Sequence, residues 1–222
     1  MFFQKVVKGI VGLDRIAAER IVTTDGIICN WWRTVETITP AAIQDQLTET
    51  AILCHLNQYD DPLPSTHDLT RPPYSAKTYG DVTPFISTSA GAIQRDKFVQ
   101  RNIIFPPFLT ALRFATKNFK ASGFIFYAYL FTLGKQAIPF QGLAEEVREL
   151  HIYQQYLPFH HEGEITAKII IPSAQIEKAV EYDGAAALQE LRKKQMPSPI
   201  GTPILNSAYA KPESYANIRE LL

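Results

Sequence analysis

Val6, Ile10, Leu13, Ala17 and Ile21 stand three or four residues apart with charged residues between them, so the pattern predicts an amphipathic helix over 6–21. Asp25-Gly26 marks a turn. The stretch 27–35 is rich in Ile, Cys, Trp and Val, which suits a buried strand. Thr39-Pro40 supplies an N-cap with proline at the first helical position, and that helix should run to about His55. From 58 to 83 the chain carries Pro62, Pro64, Pro72, Pro73 and Gly80 among Ser, Thr and Asp, a composition that no regular element tolerates. It predicts a long loop, and loops beyond about 15 residues are usually functional or disordered.

Residues 84–89 predict a short strand, and 90–100 a helix from their mixture of apolar and charged positions. Phe108, Ala111, Leu112, Ala115 and Phe119 return at helical spacing, and Ser122-Gly123 ends that segment. The run 124–131, Phe-Ile-Phe-Tyr-Ala-Tyr-Leu-Phe, is the strongest strand and belongs in the middle of a sheet. A short acidic stretch (142–151) and an aromatic, histidine-bearing loop (153–161) follow. Then come a strand over 162–171 closed by Pro172, a helix over 185–195, and an extended Pro/Ser/Tyr-rich tail over 197–222. No internal repeat or low-complexity tract interrupts this order.

Composition narrows the class. A chain of 222 residues with 46% hydrophobic residues can bury roughly 70% of its unfolded surface, so disorder and disulfide scaffolds are excluded. Lys+Arg 22 against Asp+Glu 22 argues against a broad face for duplex nucleic acid, though not against a locally basic cleft. Cys29 and Cys54 sit in apolar surroundings and read as buried free thiols, with one disulfide as the alternative. The N-terminal apolar runs are broken by Lys and Asp before a signal sequence forms, and no stretch reaches the roughly 20 apolar residues of a membrane span. A cytoplasmic protein without a membrane partner is the expectation, or one delivered without a cleaved signal.

Three features carry candidate chemistry, since Walker and Rossmann fingerprints and metal-spaced Cys/His clusters are absent from the sequence. Adjacent His160 and His161, with His151 nearby, read as polar loop residues, because neighbours on an extended chain face opposite ways. In Glu162-Gly163-Glu164 the carboxylates share a face about 7 Å apart at ~3.4 Å rise per residue, either as solvated charges or as acids aimed into a cleft by the core strand that follows. Ser87-Thr88-Ser89 ends a hydrophobic strand, where Ser89 also suits a helix cap. Arg33, inside an apolar strand, needs an acceptor or anionic partner, either structural or a ligand phosphate.

In this order, Arg33, Ser87-Thr88-Ser89 and Glu162-Gly163-Glu164 resemble the arginine, Ser-Thr-Ser, glutamate pattern of mono-ADP-ribosyltransferases of the cholera-toxin and ecto-transferase class. The flanks are similar too: Pro84-Phe85-Ile86 before the Ser-Thr-Ser, the glycine-led aromatic strand from Gly123, and Glu164-Ile165 running to Ile171-Pro172. The resemblance spans about 27–176. It implies an α+β fold, an ADP-ribosyltransferase-like split β-sandwich with flanking helices, in a single catalytic domain over 1–222. The core would be about 27–176, with 58–83 an insertion loop and 197–222 a C-terminal tail.

That resemblance implies NAD as substrate, no metal, and passage through an oxocarbenium-like ribose cation. Glu164 would be the carboxylate that contacts the nicotinamide ribose and stabilises the cation, while Glu162 would position or deprotonate the acceptor, typically a protein arginine. Arg33 would meet the pyrophosphate or adenosine side. Ser87 would hold Glu164 and the ribose, with Thr88 and Ser89 bracing the cofactor-binding strand. Tyr156 and Phe159 would contact the acceptor. Nucleic acid bases or water are alternative acceptors, a toxin or defence role would bring an inhibitor or antitoxin partner, and an inactive NAD- or partner-binding module is the reading of another class.

Overall fold

The computed structural model describes residues 2–61, 63, 77–95, 102–132, 143–146 and 164–211. They form a mixed α/β arrangement built on a seven-stranded, mainly antiparallel sheet. At its centre lies β6 (Ser122–Thr132). Along one edge of β6 runs β1 (Phe2–Val11), paired from Phe2 opposite Thr132 to Val11 opposite Gly123. The other edge is shared by β10 (Ile176–Asp183) and, in parallel at Phe131 and Thr132, by β7 (Leu143–Glu146). β11 (Ile200–Leu205) extends the sheet from β10. A ring closes through β8 (Glu164–Lys168) and β3 (Phe85–Ser89), because β8 joins β7 to β3 and Val7 meets Ser89.

Both faces of β6 are covered, which is why its sequence is apolar throughout instead of alternating. Phe124, Phe126 and Leu130 enter one core with Val6, Ile86, Ile165 and Ala167. Ile125 enters a second core with Val7, beneath α4 (Pro107–Ala115) and α5 (Gly184–Arg192). A third cluster packs α3 (Glu49–Asn57) onto Phe85 of β3 through Ile52 and Leu56. α3 and α4 therefore stand on the same face of the sheet.

Several expectations change. The segment predicted as a helix over 6–21 is β1 followed by α1 (Arg15–Arg20), which the Asp14 carboxylate caps at 2.7 Å from the Ala17 N–H, and a π-helical turn over Ile21–Asp25. The strand expected over 27–35 is β2 (Ile27–Ile28) and a 3-10 turn over Trp31–Thr34. The helix begun by Thr39 divides at Leu47 into α2 (Pro40–Gln46) and α3, the second capped by Thr48. Of the helix expected over 90–100, the described residues hold β4 (Ala92–Arg95), which pairs with β5 (Asn102–Phe105), and 96–100 lie outside them. The strand expected over 162–171 breaks at buried Ile169, whose φ of 63° separates β8 from β9 (Ile170–Ile171). Ile169 ties three segments there, its N–H donating to the Pro84 carbonyl and its carbonyl accepting from the Cys29 N–H.

Of the expected tail, 200–205 belongs to the sheet and 212–222 lie outside the described residues, and the Tyr129 hydroxyl of β6 donates to the Ala210 carbonyl at 2.6 Å. Cys29 is a buried free thiol and Cys54 a partly buried one. Among the described residues no helix is long and apolar enough to cross a membrane.

Candidate active site

β3 and β8 pair with Ser87 opposite Thr166 and Ser89 opposite Glu164. Cross-strand partners, and residues two apart, project to one face. Ser87, Ser89, Glu164 and Thr166 therefore form a polar patch on the side away from Ile86, Ile165 and Ala167, which fill the first core. Thr88 faces that core side, and its hydroxyl donates to the Ile165 carbonyl across the pair.

α3 stands over the patch. Burial of Ile52 and Leu56 against Phe85 turns the same helical face inward at His55, which is only 3% exposed. Its Nδ1 lies 2.8 Å from Thr83 Oγ1, and its Nε2 lies 2.8 Å from Ser87 Oγ and 3.5 Å from Glu164 Oε1. The segment before β3 locks the helix in place. Tyr79 donates its hydroxyl to the Ala51 carbonyl, and the Tyr59 ring lies so close to Gly80 that a Cβ there would come within 2.5 Å of it.

Glu164 is 5% exposed, and its Oε1 accepts from Thr166 Oγ1 at 3.1 Å. Burial alone would raise the pKa of this carboxyl. The hydrogen bond and charge of His55 outweigh that penalty together with the Ser87 and Thr166 hydroxyls, and the carboxyl is held below the usual glutamate range. An ionised carboxylate fixed in one orientation results.

A cavity of about 320 Å³ opens over this carboxylate. β1 contributes Val7, Lys8 and Gly9; α4 contributes Thr110, Ala111 and Phe114; the end of α3 and its following turn contribute His55, Leu56, Tyr59, Asp60 and Asp61. Among the described residues, carboxylates outnumber cations on these walls. The Tyr59 hydroxyl registers this, its pKa pushed up by burial and then by Asp60, Asp81 and Glu164.

Of the residues picked out from sequence, the structure brings Ser87, Thr88, Ser89 and Glu164 to one cavity. Ser89 caps no helix, since β4 follows it; its Oγ accepts instead from the Gly91 N–H at 3.4 Å. Arg33 is not buried in a strand. It lies exposed on the 3-10 turn after β2 and does not line the cavity, so it needs no buried counter-ion. Glu162, Tyr156 and Phe159 lie outside the described residues, as do His151, His160 and His161. Among the described residues no group of three His, Cys, Asp or Glu side chains is placed to hold a metal ion.

His55, Thr83 and Thr166 were missed. His55 had a signal in the sequence: it occupies the apolar face of its helix between Ile52 and Leu56, where a buried imidazole requires partners. Thr166 had a weaker one, being two residues beyond Glu164 in the same strand. No protein-family model and no curated protein matches the sequence.

Proposed function

We propose that this chain is an NAD-cleaving mono-ADP-ribosyltransferase. The observation that carries the reading is the buried, ionised Glu164 beside Ser87 on the floor of a small-molecule-sized cavity. The register of β3 on β8 supports it, because it brings Ser87 and Ser89 onto one surface with Glu164 although they are far apart in sequence. The mixed α/β arrangement is compatible with the split β-sandwich that the resemblance implies.

In this reaction the bond between ribose C1′ and the pyridinium nitrogen breaks. The electron pair leaves with neutral nicotinamide, and positive charge develops on the ribose. Glu164 stabilises that charge, and its stabilisation grows as the charge forms, which is the condition for accelerating the step. The acceptor then attacks C1′ and releases a proton. Protein arginine remains the acceptor that Glu162-Gly163-Glu164 favours, with a nucleic acid base or water as alternatives. Arg33 does not line the cavity, so the phosphate-facing role expected of it has no support in this geometry.

The 2.8 Å contact between Ser87 Oγ and His55 Nε2 favours a second reading, a serine nucleophile activated by histidine. The group that orients the imidazole from Nδ1 is a threonine, however, and the carboxylate lies on the serine side. Incubation with NAD labelled in its adenosine half separates the readings. Nicotinamide release that falls about 10²-fold or more in Glu164→Gln supports ribosyl cleavage. No release from NAD, together with fluorophosphonate labelling abolished by Ser87→Ala, would establish the hydrolase instead.

A further inference from the structure

We propose that His55 is the positioning residue of this site, fixing the hydrogen-bond direction through Ser87 so that Ser87 gives its hydrogen to Glu164 and meets ligand only as an acceptor. This rests on the reading of Glu164 as the charge-stabilising carboxylate. Thr83 Oγ1 accepts from the Phe85 N–H at 3.2 Å and keeps a hydrogen and a second lone pair for Nδ1 of His55 at 2.8 Å, so it serves a ring protonated at Nε2 alone or at both nitrogens. In both states the Nε2 proton is donated to Ser87 Oγ. A serine hydroxyl has one hydrogen and two lone pairs. With one lone pair taken by His55, its hydrogen goes to Glu164 and the remaining lone pair faces the cavity that Ser87 lines.

The opposite tautomer fails on the same distances. It would aim a bare Nε2 lone pair at Glu164 Oε1 across 3.5 Å and take the Ser87 hydrogen away from the carboxylate. The ligand group suited to Ser87 is therefore a hydroxyl that donates, as a ribose hydroxyl does, and not a bare acceptor.

The charged residues of the cavity wall and of the strands beside Glu164 define what a titration reads. α3 and its turn bring His55, Tyr59, Asp60 and Asp61, β1 brings Lys8, and β3 and α4 bring uncharged lining residues. Lys168 lies on β8 itself, and on β7 Glu145 stands opposite Thr166 in the register.

The test compares wild type with His55→Gln, whose amide nitrogen takes the Nε2 place; His55→Asn, whose amide stops short of Ser87; and Thr83→Val. Carbon-13 carboxyl NMR without NAD, assigned through Glu164→Gln, gives the Glu164 midpoint directly. His55→Asn is expected to raise that midpoint by about one pH unit and to lower kcat for nicotinamide release about tenfold. KM should stay within about twofold, and the acid limb should move to higher pH. His55→Gln should restore most of both. Thr83→Val should shift the midpoint the same way by less, and it decides the matter if His55→Asn does not fold. An unchanged midpoint in folded His55→Asn, or in Thr83→Val where His55→Asn is unfolded, would overturn the proposal even if NAD is cleaved. A shifted midpoint with no cleavage by wild type would leave His55 in place and remove the NAD reading.

Discussion

A carboxylate 5% exposed stays ionised only where its donors outweigh its lost hydration, and at Glu164 those donors come from α3, β3 and β8 together. The sign for stability follows. With the folded-state pKa below the ordinary value of 4.5, the ionised group stabilises the fold at higher pH, and that contribution is lost as pH falls through the lowered value. Wild type should therefore lose stability more steeply than Glu164→Gln below about pH 5. Urea midpoints of the two proteins at descending pH check this, and parallel curves would show that the donors supply no net depression. Arg33→Ala is expected to leave KM for NAD near wild type, since Arg33 does not line the cavity. Initial-rate kinetics check this, and a KM raised about tenfold would return the pyrophosphate to Arg33. This residue-scale picture was half legible. Ser87 and Glu164 stood out by motif, whereas His55 depends on Thr83 and Ser87, 28 and 32 residues further on, and local spacing cannot announce such partners.

Elements were legible where one face alone was buried and obscure where two were. α4 and α5 show a clean apolar stripe because water covers their other side. β1 does not alternate, since Val6 enters one core and Val7 the other, so chance three- and four-residue spacing imitated a helix. The β4–β5 pair escaped notice for a different reason: its strands are defined by pairing with each other, which spacing within 90–100 alone does not show. One residue of β1 also makes a sharp energetic demand. A Cβ on Gly9 would come within 2.0 Å of the Ala111 carbonyl oxygen and 2.6 Å of the Ala115 nitrogen, so α4 rests directly on the backbone of this strand. Gly9→Ala must lift the helix, an overpacking that costs about 1–3 kcal/mol. Because Gly9, Ala111 and Phe114 also line the cavity, the same change should weaken ligand binding. Denaturant midpoints and NAD titration read the two effects, and a variant as stable as wild type would contradict the close approach.

At the scale of the whole molecule, the motif-bearing span 27–176 is not where the sheet ends. β6 is flanked from Gly123 to Thr132 by β1 and along its first part by β10, so strands near both ends of the sequence enclose the central one. Without β1 the ring loses its closure between β3 and β6, and Val6 and Val7 leave both cores. Without β10 and β11, Ile176, Ala179 and Ile204 leave the first core and Val180 and Tyr182 the second. Each buried aliphatic or aromatic side chain of this kind contributes about 1.5–3 kcal/mol, and several lost together exceed the about 5–15 kcal/mol by which a domain is stable. A fragment restricted to 27–176 is therefore expected to lack a cooperative thermal transition, while 1–211 unfolds in one. Calorimetry on the two decides it. A sharp transition in 27–176 would mean that the site is carried by a smaller folding unit than the ring, with β1, β10 and β11 as additions to it.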